Sequence, residues 1–435
     1  MSMSRSKHRR PVGAPRPQVP AVSAILRVVA ALLYRHRFWV IAAAAILAIG
    51  LAFLFVFRDR SVVLAVPKAE LDAYAAVMKK LSTQADAPRI RILGFEGNGS
   101  DILGGKRPGI AVVSLAPWIG TALDRGDLKD LPAAAFRTGI PAFPRSFHDV
   151  IGGAQGAAGE SRVRMLPITF DPWLIAWHRD LLGKNNAAPP QFWNDLPLLA
   201  KSIRASGASV LALPGKESDA DLAWLAILSS GQDQKAAIAA FEKFPKEGRE
   251  AVGGAFEALA GMQKSGLVQA GSFSYPWSDA IGLLLHRKAA GILLPLSRFR
   301  AINPIESAPL IVSRVPDFPG SREYGLLADL RVLVMPARGA AGRGAERAIA
   351  YLAQAEIQRA LADALGIVPA ALDAPIRDGA SYAAVDAARN AGALLSPPGM
   401  VLDAKQVAAF AAALDKALRS PRDVPSILKE LYAGN

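Results

Sequence analysis

The sequence predicts an α/β protein, long enough for two domains, that is preceded by one transmembrane helix. Residues 38–57 contain no charged side chain, and as a helix they would span roughly 30 Å, the thickness of a hydrocarbon core. From residue 61 onward, buried-strand patterns alternate with helical patterns, which indicates βαβ units and a largely parallel sheet. The length of 435 residues allows two ordinary domains with a sizeable core.

The charges around the apolar segment predict its orientation. Residues 1–57 contain eight of the 51 basic residues and none of the 37 acidic ones, so the rest of the chain carries a net charge of only about +6. The positive-inside rule places the basic tail, residues 1–37, in the cytoplasm and everything after residue 57 outside. The protein is therefore predicted to be a single-pass inner (cytoplasmic) membrane protein with a periplasmic or extracytoplasmic domain.

A cleaved signal peptide is the alternative interpretation of residues 38–57. The apolar run is longer than a usual signal-peptide core, and no small-x-small cleavage site follows it, so an uncleaved anchor is preferred. The chain has no cysteine, which excludes a lipoprotein anchor, disulfides and thiolate metal sites.

The domain after the anchor begins with the alternating elements. Strands are predicted at 61–66, 89–95 and 109–115, with a helix over 69–84 between the first two. An extended run starts near Met165 and leads to a Pro-Pro-x-x-Trp helix entry at Pro189. The elements predicted further along are helices at 192–206, 218–230, 232–244, 249–265 and 342–364, strands at 210–213 and 290–294, an extended segment at 324–335, and two C-terminal helices within 404–433 that are separated near Pro421 and Pro425.

The stretch from Met165 to Trp193 resembles the interdomain crossing of bacterial extracellular solute-binding proteins, the maltose-binding-protein-like family 1. Its sequence, MLPITFDPWLIAWHRDLLGKNNAAPPQFW, places an acid and aromatic residues just before a helix that Pro-Pro introduces. In that family the chain leaves one lobe through an extended hinge and enters the second lobe at this helix. Asp171 falls where the family carries an acid that accepts hydrogen bonds from sugar hydroxyl groups.

Three further segments carry the same resemblance. Pro108 to Leu131 resembles the strand and helix near the ligand loop of the first lobe, although Gly109 stands where the family has Asp. Arg287 to Phe299 resembles a strand that ends in Gly-x-Trp, but Ser297 occupies the position of that Trp. Ala345 to Ala370 resembles the late helix pair that ends in a Gly-x-x-Pro turn.

The resemblance implies a two-lobed periplasmic-binding-protein (type II) fold with an interdomain cleft. It assigns residues 61–167 and about 300–365 to lobe 1, and residues 168–299 and about 366–435 to lobe 2. It also implies a small-molecule, sugar-like ligand, ABC permease subunits as membrane partners, and a monomeric pair of binding lobes.

A sugar-like ligand requires aromatic faces and planar hydrogen-bonding groups in a cleft that can close. Several of these aromatic residues have core packing as the competing interpretation, and Trp177 and Trp193 are predicted to be core residues. Arg298 is suited either to an anionic group of the ligand or to a surface ion pair. The candidate ligand-binding residues are Glu96, Trp118, Asp171, Trp173, Trp224, Trp277, Asp279 and Arg298.

Catalysis and nucleic-acid binding have little support in the sequence. The histidines have no metal-ligand spacing, no G-x-S-x-G or H-E-x-x-H motif is present, and no cofactor is implied. No basic stripe interleaved with aromatic residues occurs after the anchor. Two functions stay open: a tethered receptor for an ABC importer, and a sensor or interaction module that kept the fold but has a degenerate ligand site, as Gly109 and Ser297 suggest.

Overall fold

The computed structural model divides into two units, Met1–Arg60 and Ser61–Asn435. In the first unit the structure describes residues 27, 29, 45 and 47, all helical. In the second it describes residues 61–84, 86–97, 99–103, 108–136, 142–148, 163–183, 188–232, 249–269, 271–318, 324–339 and 343–433.

Eleven strands and fifteen α-helices lie in the described part of the second unit. The strands are β1 Val62–Pro67, β2 Ile90–Phe95, β3 Ile110–Ser114, β4 Leu128–Lys129, β5 Leu166–His178, β6 Ser209–Ala212, β7 Ala289–Pro295, β8 Leu310–Ser313, β9 Tyr324–Pro336, β10 Val368–Pro369 and β11 Ala391–Leu395. The helices are α1 Leu71–Leu81, α2 Ser100–Leu103, α3 Pro117–Asp124, α4 Leu196–Ile203, α5 Ser218–Gln232, α6 Arg249–Lys264, α7 Trp277–Leu285, α8 Leu296–Arg300, α9 Pro304–Ser307, α10 Arg343–Leu352, α11 Ala355–Leu365, α12 Gly379–Asn390, α13 Pro398–Val401, α14 Ala404–Arg419 and α15 Val424–Ala433.

One continuous sheet joins the two halves of this unit. Its main strand order is β2-β1-β3-β9-β5-β7-β6. The pairs β2–β1, β1–β3 and β6–β7 are parallel, whereas β9 is antiparallel to β3 and β5, and β5 is antiparallel to β7. The first part of β5 pairs with β9 and its second part with β7 and β8, so β5 passes from one half to the other.

Two prolines within β5 mark irregularities of its hydrogen bonding. Proline has no backbone N–H to donate, so within a sheet it is tolerated at bulges and where a ladder is interrupted. Pro167 lies at a register shift against β9. Pro172 is the last residue paired with β9, and its neighbour Trp173 is the first paired with β7. The change of partner therefore occurs at a residue that could not have completed a regular ladder.

Two hydrophobic cores form on either side of this change of partner. The first, here called the core of lobe 1, includes Leu64, Val112, Phe170, Val332 and residues as late as Ala391. The second, the core of lobe 2, begins at Trp173 and includes residues of β6, β7, α5, α6 and α14. The division of residues 300–435 between the lobes stays a prediction, and α12, predicted for lobe 2, contributes Ala384, Ala387 and Ala388 to the core of lobe 1.

Most predicted elements coincide with observed ones to within a few residues. The helix predicted over 342–364 is divided into α10 and α11, and α11 ends at the left-handed Gly366. Pro425 lies in the first turn of α15 rather than before it, where the missing N–H costs nothing. The helix predicted at 232–244 falls almost entirely outside the described residues.

The predicted transmembrane segment, residues 38–57, also lies outside the described residues except for Ala45 and Leu47. Within the part of the chain that the structure describes, no helix combines the length and the apolar character that a membrane crossing needs.

Candidate functional site

The strand directions bring the carboxyl ends of both lobes toward each other. β5 runs parallel to β1 and β3, because β9 is antiparallel to both β3 and β5, so it leaves lobe 1 past their carboxyl ends. β7 is antiparallel to β5 and β6 is parallel to β7, so the carboxyl ends of both point back toward lobe 1. Ligand sites of open α/β sheets lie outside the carboxyl ends of the strands, so this region is the candidate site.

Asp171 lies on β5 where the strand passes between the lobes. Its carboxylate accepts hydrogen bonds from the backbone N–H of Ser297, at 2.9 Å, and from the Ser297 hydroxyl, at 2.6 Å. Ser297 belongs to the first turn of α8, whose N–H groups lack partners within the helix. Ser297, at the position where the sequence resemblance predicts a Trp, anchors α8 to the crossing strand.

Burial raises the pKa of Asp171 to about 6, although the hydrogen bonds from Ser297 favour its ionised form. The carboxylate of Asp329, which is the cross-strand partner of Asp171 on β9, raises this pKa further. Desolvation disfavours a charge more strongly than two hydrogen bonds favour it here. The pKa of Asp171 therefore lies well above the ordinary value of 3.8.

A buried charge cluster, here called the Arg331 cluster, adjoins Asp171 on the side of lobe 1. Arg331 of β9 donates to Glu70 at 2.7 Å and also binds Asp329 and Ser114. Burial opposes its charge, but the carboxylates of Asp329 and Glu70 hold the pKa of Arg331 above its usual value. One oxygen each of Glu70 and Asp329 is buried without a hydrogen-bond donor among the described residues.

The opposite side of the site is formed by aromatic residues and one arginine of lobe 2. The rings of Trp173 and Trp277 lie 6.1 Å apart, and the guanidinium carbon of Arg298 lies 4.4 Å from the centre of the Trp277 ring. The two tryptophans are only 5% and 7% exposed. We call Trp173, Trp277 and Arg298 the Trp277 corner.

The other predicted site residues are dispersed. Glu96 is exposed after β2 and pairs with Lys68 at 2.5 Å. Trp118 is half-buried in the first turn of α3, and Asp279 is exposed in the first turn of α7. Trp224 is 1% exposed inside the core of lobe 2, where it packs against Trp193, so it has no face available to a ligand in this conformation.

Two cavities lie outside this region. One, of about 620 Å³, lies on lobe 2 and is lined by Pro189, Pro190, Phe192, Leu198 and neighbouring residues. The other, of about 210 Å³, lies between α14 and α15. Neither touches the carboxyl ends of the sheet strands. No group of side chains suited to hold a metal ion occurs among the described residues.

Sequence reasoning missed four polar residues of the site: Glu70, Ser114, Asp329 and Arg331. Glu70 and Arg331 are 261 positions apart, and no spacing motif links residues so distant. The signal that the sequence did offer was the pair of charged residues, Asp329 and Arg331, inside the otherwise apolar strand β9, because a buried charge needs a partner.

The model of a family described as bacterial extracellular solute-binding protein matches residues 100–391, about two thirds of the chain. No curated protein matches the sequence.

Several solved structures resemble the chain. The bacterial solute receptor AcbH, described by its exclusive preference for β-D-galactopyranose, superposes with a TM-score of 0.74 at 15% identity, covering 86% of this chain and 96% of its own. A probable secreted solute-binding lipoprotein from Streptomyces coelicolor gives 0.67 at 16% identity, covering 86% and 99%. The GacH receptor of Streptomyces glaucescens, solved without ligand and with acarbose, gives 0.60 at 14% identity, covering 86% and 97%. These likenesses confirm the predicted two-lobed α/β fold.

Proposed function

Because the chain belongs to the family of bacterial extracellular solute-binding proteins, we propose that it captures a small, sugar-like ligand between its lobes for an ABC importer. Members of this family are binding proteins rather than enzymes, as the sequence predicted. Their binding domain works outside the cytoplasm. The inner-membrane anchor at residues 38–57 and the permease subunits as partners are part of this proposal.

The observation that carries the proposal is the convergence of polar groups where the carboxyl ends of the two lobes meet. Asp171, the Arg331 cluster and Arg298 supply charged and hydrogen-bonding groups from both lobes around the crossing strand β5. A ligand that bridges such groups binds the closed form more tightly than the open form, and this difference drives closure. Two solved relatives are described with β-D-galactopyranose and acarbose, which supports a sugar-like ligand here.

Among the predicted residues, we assign ligand contact to Asp171 and Arg298. Trp173 and Trp277 are buried beside them, and we assign these two tryptophans to the wall of the site that holds Arg298 in place. Trp118, Glu96 and Asp279 belong to the rim of the proposed cleft, since they lie at or near the carboxyl ends of β3, β2 and at the start of α7. Trp224 is assigned to the core.

The test is a thermal-shift screen of the full chain with mono- and oligosaccharides, polyols and, as a contrasting class, amino acids. We expect stabilisation that grows with the concentration of one saccharide class and is lost in Asp171→Ala. Since binding to the folded state alone raises stability with ligand concentration, about 2.7 kcal/mol is gained at a hundredfold excess over Kd. Stabilisation by amino acids alone would contradict the proposed ligand class.

One observation favours the second candidate function, a sensor or interaction module of the same fold. Both oxygens of Asp171 are already bonded to Ser297, and Trp173 and Trp277 are buried, so the usual acid and stacking faces are occupied. In that case no ligand in the screen stabilises the protein, whereas the full chain copurifies with a membrane partner.

A further inference from the structure

The Trp277 corner carries a cation that has no anionic partner among the described residues. Arg298 makes no ion pair with a described residue, and its Nε is buried without an acceptor there. Its guanidinium lies over the Trp277 ring, which holds the plane in one orientation. A guanidinium fixed in this way presents a planar fork of N–H donors, the geometry that matches a carboxylate.

The carboxylates on the elements around this corner have other partners. Asp171 accepts both hydrogen bonds of Ser297. Asp219, at the start of α5, accepts from the indole N–H of Trp277 at 3.3 Å, and Asp279 accepts from the Ser278 hydroxyl at 3.1 Å. The cation is therefore the group of this corner that is left to meet a ligand.

The same arrangement removes the aromatic faces on which a neutral sugar ring would stack. Ser297 stands at the position where the resemblance predicts a Trp, and the Trp277 face that would replace it is covered by Arg298. Trp173 is buried against Trp277. A ligand approaching this side of the cleft thus meets a planar cation backed by an indole.

We propose that the ligand carries a carboxylate that Arg298 binds, so that the receptor prefers acidic saccharides, of the uronate class, to the matching neutral ones. This inference rests on the proposed function, and it names the ligand class of the same site. Hydroxyl groups of the same molecule then face Asp171 and the Arg331 cluster on the other side of the cleft.

The test compares matched pairs of probes by calorimetric titration of the full chain: galacturonate with galactose, glucuronate with glucose, and their oligomers. Each uronate is expected to bind at least tenfold more tightly than its neutral partner, with an affinity that falls as salt increases. Arg298→Gln should lower the affinity for each uronate to about that for its neutral partner, which removes the preference. Arg204→Gln, at an exposed arginine of lobe 2, should behave as the wild type.

The outcomes separate the two proposals. Binding of neutral saccharides with equal or greater affinity overturns the acidic preference and leaves the proposed function standing. Absence of binding by either class overturns both. If Arg298→Gln keeps the uronate preference and only lowers the Tm, then Arg298 packs on Trp277 for stability alone. That result overturns the proposal that Arg298 binds the carboxylate of the ligand.

Discussion

Replacing Asp171 by Asn should stabilise the protein at neutral pH. The variant keeps an oxygen that accepts the 2.9 Å hydrogen bond from the Ser297 N–H, and its amide nitrogen can donate to the Ser297 hydroxyl. What it loses is a charge that burial and the neighbouring Asp329 carboxylate both disfavour. The crossing strand and α8 therefore stay linked, without the cost of ionisation.

The sign of the pH dependence follows from the direction of the shift. The pKa of Asp171 is about 6 in the folded protein and 3.8 in the unfolded chain, so between these values the folded state binds more protons. The free energy of unfolding contributed by this group is therefore greatest below pH 3.8 and falls as the pH rises through 6. The full pKa shift corresponds to a loss of about 3 kcal/mol in the free energy of unfolding between low and neutral pH. Solvent screening of the half-buried carboxyl group makes a loss of about 1–3 kcal/mol the expected range.

The assay is urea unfolding of the full chain, followed by tryptophan fluorescence at several pH values between 4 and 7.5. The informative quantity is the free energy of unfolding of Asp171→Asn minus that of the wild type. It should be near zero at pH 4 and rise to about 1–3 kcal/mol at pH 7.5. Asp124→Asn, at an exposed acid of α3, should show little change. A variant that is less stable than the wild type at pH 7.5 would refute the reasoning, because it would mean that Ser297 stabilises the ionised carboxylate more than burial disfavours it.

Three other substitutions test the packing around the site. Arg331→Met leaves Glu70 and Asp329 buried without their cation and should lower the free energy of unfolding in urea by about 3–5 kcal/mol. Arg125→Met, at an exposed ion pair, should lower it by less than about 1 kcal/mol. Equal losses at the two positions would contradict the claim that burial makes the ion pairs of Arg331 the more important. Gly291→Ala places a Cβ 2.6 Å from the Trp177 ring and should lower the stability by about 1–3 kcal/mol. Gly282→Ala, inside α7 where a Cβ would meet no atom within 4 Å, should raise the stability by about 0.5–1 kcal/mol. Melting curves followed by circular dichroism measure both changes. Arg300→Met removes hydrogen bonds to the Ile367 carbonyl, Asp378 and Ser381 and should lower the free energy of unfolding by about 2 kcal/mol. Arg377→Met, at an exposed ion pair, should change it by almost nothing. A loss of stability at Arg300 no larger than that at Arg377, in the same melts, would show that α8 does not depend on this contact.

Much of the fold could be predicted from the sequence, because several of its strands are continuous apolar runs, a pattern that indicates buried strands. β3 and β5 are buried almost throughout, and such runs predict strands covered on both faces. The strands with which β3 and β5 pair could not be predicted. The pairing of β5 with β9 joins residues more than 150 positions apart, and nothing in either run specifies the register.

The candidate site was only partly predictable, for a physical reason. Asp171 and Trp173 were found through a resemblance of local motifs, whereas Trp277 and Arg298 were named as an aromatic face and a polar group suited to a ligand. The structure brings all four together. Ser297 was identified only as a missing Trp, because a hydroxyl group that binds a carboxylate 126 positions away leaves no local pattern. Trp224 was predicted as a ligand contact but lies in the core. The sequence alone could not distinguish the two, because an aromatic residue in an apolar helix gives the same pattern whether it packs in the core or contacts a ligand.

Closure of the lobes around a ligand can be measured directly, because the chain has no cysteine and two introduced ones can be labelled specifically. Thr121→Cys on α3 of lobe 1 and Lys216→Cys after β6 of lobe 2 are exposed positions near the carboxyl ends that face each other. Spin labels at these sites report the distance between the lobes by pulsed electron paramagnetic resonance. The distance should shorten when a saccharide that stabilises the protein is added and stay constant with one that does not. A stabilising saccharide that leaves the distance unchanged would contradict capture between the lobes.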